Sequence, residues 1–133
     1  MTYALDTNTV SYFIQGNERV KTRMRSALEE GHNIIIPPIT YYEIRRGFKH
    51  KSAPAKEKAF TSMCLTCPVG EMTVSTWEHA AEIYGNSHRM GNPINDADIL
   101  IAAFCVVGGY TLVTNNTKHF KDIDGLQFVN WAE

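Results

Sequence analysis

Four polar residues stand at or inside apolar segments where a polar group has to have a reason to be. Asp6 ends the run Tyr3-Ala4-Leu5, and Glu43 lies within Ile39-Thr40-Tyr41-Tyr42-Glu43-Ile44. Asp98 leads directly into Ile99-Leu100-Ile101-Ala102-Ala103-Phe104, and Asn116 comes just after Tyr110-Thr111-Leu112-Val113-Thr114. Carboxylates are rarely buried unless they are paired or hold a cation. If these converge, like charges destabilise one another, and a hard divalent cation relieves the repulsion. An all-oxygen donor set suits Mg²⁺, which uses few carboxylates, keeps several waters and takes up substrate phosphate. Such a cation lowers the pKa of a bound water and stabilises charge on a phosphate, so the chemistry indicated is metal-assisted phosphodiester hydrolysis. Each residue also has a plainer reading. Asp6 and Asp98 could cap helices, Glu43 could be an exposed helix position, and Asn116 could serve only a turn with Asn115. Asp96 competes with Asp98, and periodicity does not choose between them.

The elements that must position these residues alternate between short apolar runs and helical patterns. Thr2 to Asp6 reads as a strand. Thr7 to Gln15 reads as a helix, capped by Thr7 or Asn8 and stopped by Gly16. A charged helix follows from about Asn17 to Glu30 and ends at Gly31. Asn33 to Pro37 is a β-branched run that predicts a buried strand, and Ile39 to Phe48 predicts a helix. Lys49 to Ala55 is polar, and Pro54 suits the first turn of a helix reaching about Leu65. Pro68 to Thr73 is a weak strand. Ser75 can cap a helix in which Trp77, Ala80, Ala81 and Tyr84 keep helical spacing. After the break at Gly91-Asn92-Pro93, Asp96 or Asp98 opens a helix that ends at Gly108-Gly109 and is apolar nearly all round. Tyr110 to Thr114 and Leu126 to Val129 are the last strands. This alternation predicts an α/β domain spanning residues 1–133 with a mainly parallel sheet. Ligands in such sheets bind beyond the carboxyl ends of the strands, where Asp6 and Asn116 would lie.

The 133 residues are 44% hydrophobic and 20% charged, as in an ordinary globular protein with a real core. No apolar run approaches membrane-spanning length and no secretory signal is present, so a cytoplasmic location is the default expectation. The net charge of −1 hides an asymmetry. Residues 1–58 carry ten of the thirteen Lys/Arg and six acids, a net of +4, while residues 59–133 come to −5. The balance argues against a protein that coats nucleic acid and permits a transient nucleic-acid substrate. Cys64-Leu65-Thr66-Cys67 has the form of a redox or zinc half-site, but no second ligand pair exists, and with Cys105 these read as reduced packing residues. No two of His32, His50, His79, His88 and His119 have metal-ligand spacing on one predicted helix. His119 follows Asn116 closely and is the one to watch.

At these residues the chain resembles the PIN-domain ribonucleases, and more closely the VapC-type toxins of bacterial toxin–antitoxin pairs. The resemblance runs through Leu5-Asp6-Thr7-Asn8, Ile39 to Gly47, Asp98 to Ala103, Leu112 to Asn116 with Phe120, and the ending Gly125-Leu126 through Asn130-Trp131. Any one of these is weak, whereas all of them in order are specific. The resemblance implies a PIN-like three-layer fold and a Mg²⁺- or Mn²⁺-dependent endoribonuclease. It implies Asp6, Glu43 and Asp98 as the acidic core with Asn116 as the fourth member, and it selects Asp98 over Asp96. Asp6 and Asp98 would hold the cation, and Glu43 would orient or deprotonate water. Asn8 and Thr114 would support the site, and Arg46 and Lys49 would steer RNA. It also implies a homodimer, a VapB-type antitoxin and a tRNA substrate such as initiator tRNA. Many relatives have Asp where Asn116 stands, and often an acid where this chain has His119.

Two other readings compete. A non-catalytic PIN-like binding module would keep the fold without the chemistry. A phosphatase of the haloacid dehalogenase type also begins with Asp after a strand, but it needs a second Asp two residues later, where this chain has Asn8.

Overall fold

The structure, a computed structural model, describes residues 1–133. From the N-terminus, β1 (Thr2–Leu5) is followed by α1 (Thr7–Ile14), α2 (Glu18–Glu29) and β2 (Asn33–Ile35). Then come α3 (Pro38–His50), α4 (Pro54–Thr66), α5 (Val74–Arg89) and α6 (Asp96–Gly108). The chain ends with β3 (Thr111–Val113), α7 (Thr117–Phe120) and β4 (Gln127–Val129). The four strands form one sheet in the order β2-β1-β3-β4, and every pairing is parallel. The expected mainly parallel sheet is therefore wholly parallel.

Alternation along each strand divides the core into two layers. Ala4 and Leu112 face one side, packing with Ile99, Ala102 and Ala103 of α6 and Ile83 of α5. Leu5 and Val113 face the other, packing with Val10, Met24, Ile44 and Phe60 of α1 to α4. Successive strand side chains point to opposite faces, so each central strand serves both layers. Helices thus cover both faces, giving three layers. No helix is long and apolar enough to cross a membrane.

Several boundaries differ from the sequence expectation for local reasons. Asp6 itself caps α1, rather than Thr7 or Asn8: its Oδ1 accepts from the Thr9 amide at 2.8 Å. The strand expected at Pro68 to Thr73 shrinks to a single bridge between Ile36 and Val69. Pro68 has no N–H to give a ladder. Gly70 lies so close to the Phe104 ring that a Cβ would stand 2.4 Å from its Cζ. Thr73, not Ser75, caps α5, exchanging hydrogen bonds with Thr76 in a capping box. Neither Asp96 nor Asp98 caps α6; Asn95 does, accepting from the Asp98 amide at 2.9 Å. Helices α3 and α4 extend into the polar connection, leaving only residues 51–53 between them. The short α7 was not expected at all.

All three cysteines are free, and Cys67 and Cys105 are buried. Burial pushes the Cys67 thiol up to about 11, so it stays protonated and unreactive, in keeping with a packing role.

Candidate active site

Strand β1 has β2 on one side and β3 on the other, so the chain leaves β1 in both directions across the sheet. The carboxyl ends of β1 and β3 therefore form a topological switch point, where parallel sheets open a crevice. Asp6 follows β1 directly, and its backbone N–H donates to the Val113 carbonyl at 3.1 Å. The Thr9 hydroxyl donates to that same carbonyl at 3.1 Å. These two bonds fasten the start of α1 to the end of β3. Asp6 is buried, and so is Thr114, the first residue after β3. The Thr114 hydroxyl accepts from the backbone N–H of Asn116 at 3.0 Å, and Thr114 lies near enough to the Asp6 carboxylate to favour its charged form.

Glu43 reaches this region from α3. The Thr40 hydroxyl donates to the Leu5 carbonyl at 3.0 Å, tying the first turn of α3 to the end of β1. One turn further on, Glu43 Oε1 accepts from the Thr7 hydroxyl at 2.6 Å. Its Oε2 faces the Arg46 guanidinium at 3.4 Å, and that guanidinium lies over the Tyr42 ring. Asp98 stands in the first turn of α6, and its Oδ2 accepts from Asn95 Nδ2 at 3.0 Å. His119 Nδ1, on α7, lies 3.0 Å from the same oxygen and 2.7 Å from the side-chain Nδ2 of Asn116. A continuous set of contacts thus links Glu43, Thr7, Asp6, Thr114, Asn116, His119 and Asp98.

Burial holds the Asp6 carboxyl above its ordinary pKa, and the nearby Asp98 charge pushes in the same direction. Hydrogen bonds from Thr114 and Thr9 oppose the rise without cancelling it. None of the ion pairs in the chain involves Asp6. The site thus concentrates negative charge that no basic side chain neutralises at Asp6. No group of three or more His, Cys, Asp and Glu side chains forms a ready-made metal cage. The oxygen donors of Asp6 and Asp98 are of the type that suits Mg²⁺ or Mn²⁺.

Some expected helpers are placed differently. Asn8 is exposed, and the ordering role expected of it belongs to Thr9. Lys49 is exposed, whereas Lys51 and Lys56 line a groove of about 290 Å³ that begins at Thr7 and Glu43. Arg45 is committed to Glu57 at 3.3 Å. Asp96, in the first turn of α6, makes none of the contacts that Asp98 makes. Sequence reasoning missed Thr7, Thr9 and Asn95. Only Thr7 had a local signal, its position directly after Asp6.

A three-layer parallel sheet with acids gathered at its switch point is the layout of the PIN domain, whose family model matches residues 3–126. The chain belongs to the PIN-domain family. Among curated relatives, it is 27% identical to the tRNA(fMet)-specific endonuclease VapC of Shigella flexneri over 131 residues, 98% of each chain. It is also 27% identical to Ribonuclease VapC2 of Rickettsia felis over 132 residues, again 98% of each. The VapBC2 complex of Rickettsia felis bound to a promoter DNA fragment superimposes with a TM-score of 0.91 at 25% identity, covering 98% of this chain and 99% of that one. VapBC-1 of nontypeable Haemophilus influenzae shares the fold with a TM-score of 0.89 at 24% identity over the full length of both chains.

Proposed function

We propose that this chain is a divalent-cation-dependent endoribonuclease of the VapC type, held inactive by a VapB-type antitoxin. The observation that carries the reading is Asp6. It is a buried carboxylate at the sheet's switch point, raised in pKa by burial and by Asp98, with no basic partner. A charge left in that state is costly unless something positive joins it.

Asp6 and Asp98 would hold Mg²⁺ or Mn²⁺. The bound cation would supply positive charge to the scissile phosphate and make a coordinated water more acidic. Glu43 is steadied by Thr7 and Arg46, yet each carboxylate oxygen keeps a free lone pair for water. It accepts the proton as the water oxygen bonds to phosphorus, while the P–O bond to the leaving strand breaks and that oxygen takes a proton from solvent. Asn116 and Thr114 keep Asp6 and the approaching phosphate in place. Arg46 at the rim, Lys49 on the surface and Lys51 and Lys56 in the groove attract the RNA backbone.

A tRNA substrate such as initiator tRNA is supported by the name of the Shigella relative. The antitoxin is supported by structural neighbours that are VapBC complexes. A homodimer is part of the same reading. The phosphatase alternative loses ground, because the position two residues after Asp6 holds an exposed Asn8.

The test is incubation of the full chain with tRNA and Mg²⁺, with and without chelator. Cleavage should require the cation, and Asp6→Asn or Asp98→Asn should slow it about a hundredfold or more. Unchanged cleavage by either variant would rule out this site. No chelator-sensitive cleavage of any RNA would favour the non-catalytic binding module instead.

A further inference from the structure

We propose that His119 is a positioning residue that, together with Asn95, pins Asp98 by one oxygen and leaves the other free for the cation. The inference rests on the metal-site reading above. Asp98 Oδ2 is held from two sides, by Asn95 Nδ2 at 3.0 Å and by His119 Nδ1 at 3.0 Å. Asn95 grips the same residue at its backbone as well, since Asn95 Oδ1 accepts the Asp98 amide at 2.9 Å. No hydrogen bond within the chain reaches Asp98 Oδ1. A carboxylate left alone turns broadly about its last torsion. Clamped at Oδ2, this one presents a single oxygen, which suits a cation that takes carboxylates one oxygen at a time and keeps its waters.

His119 is well placed to act as the clamp. It is carried on α7, and the next residue, Phe120, is buried to 1% exposure and anchors that helix. Donation to Asp98 fixes the proton on Nδ1. Asn116 Nδ2 faces the same Nδ1 at 2.7 Å, so with the proton on Nδ1 the Asn116 amide has to be flipped for its oxygen to accept. The rest of the imidazole stays on the open side, where the side chain is 51% exposed. Residues that orient a metal ligand through a hydrogen bond are worth roughly 10–100-fold in metal affinity.

The experiment is Mn²⁺ binding to the full chain, measured by electron paramagnetic resonance alongside a thermal melt. His119→Ala should weaken Mn²⁺ binding by about 10–100-fold with little change in melting temperature. Asn95→Ala should weaken it as well. His119→Asn puts an amide nitrogen where Nδ1 was and should restore most of the affinity. His119→Gln puts its amide where Nε2 was and should not. Wild-type affinity in His119→Ala would overturn the proposal, and so would rescue by Gln as good as rescue by Asn, which would make Nε2 the working atom. A wild-type chain that binds no Mn²⁺ would instead defeat the metal-site reading on which the proposal rests.

Discussion

Asp6 does two things that pull in opposite directions. As the cap of α1 it satisfies an orphan amide and stabilises the fold. As an ionised group under cover it costs stability, because burial and the Asp98 charge raise its pKa. An acid whose folded pKa is raised holds its proton more tightly in the native chain than in the unfolded one. Below the unfolded value, about pH 4, both states are protonated and Asp6 costs nothing. As pH climbs from there through the raised folded value, native stability falls, and above that value the loss is complete. Asn caps as well as Asp and carries no charge. In chelator at neutral pH, Asp6→Asn should therefore melt higher than the wild type, and the gain should disappear in acid. Added Mg²⁺ should lift the wild type and leave Asp6→Asn unmoved. A lower melting temperature for Asp6→Asn in neutral chelator would mean that Asp6 is not strained by its surroundings.

At the scale of elements, what the sequence revealed and what it hid follow from the range of the forces. The apolar run from Ile99 to Phe104 announced a buried helix because that burial is written in consecutive residues. The charged pattern of residues 17–30 announced a surface helix in the same way. Asp6, Glu43, Asp98 and Asn116 were visible as polar residues at apolar edges. Thr9 was not, because its hydroxyl's partner is the carbonyl of Val113, far away in the chain. Asn95 was hidden by two carboxylates beside it that could also cap, and α7 is too short to show a period. The segment after Pro68 was misread because its β-like composition says nothing of the Phe104 ring packed on Gly70. That contact gives a direct test. In Gly70→Ala the new Cβ would stand 2.4 Å from Phe104 Cζ and 3.1 Å from Ile35 Cδ1. Overpacking of this kind costs about 1–3 kcal/mol, to be read from urea denaturation. An unchanged midpoint would show that the segment is looser than the packing implies.

For the whole molecule, the question is how the chain presents its surfaces to partners. The groove that starts at Thr7 and Glu43 carries Lys51 and Lys56, both from the half of the sequence with a net charge of +4. In the proposed reading, that basic side is where an RNA backbone would approach the acids. The opposite layer offers a different surface. Helix α5 buries Ala80, Ile83 and Ser87 toward the interior, yet Val74, Trp77 and Tyr84 remain 73%, 50% and 50% exposed. With Ala81, also exposed, these fall at heptad-like spacing and make a second apolar stripe on one helix. Contiguous exposed apolar surface on a soluble domain marks a contact with another protein. In the homodimer of the proposed reading, this stripe is the face that would pack on its own copy across a twofold axis. Trp77 is the largest side chain in it, and aromatic anchors of this kind contribute about 2 kcal/mol or more to association. Light scattering of the purified chain should give the mass of two chains, and Trp77→Glu the mass of one. RNA cleavage per chain should survive in Trp77→Glu if each site is complete in itself. A monomeric wild type would remove the dimer from the reading. A Trp77→Glu protein that is still dimeric would move the interface to another face.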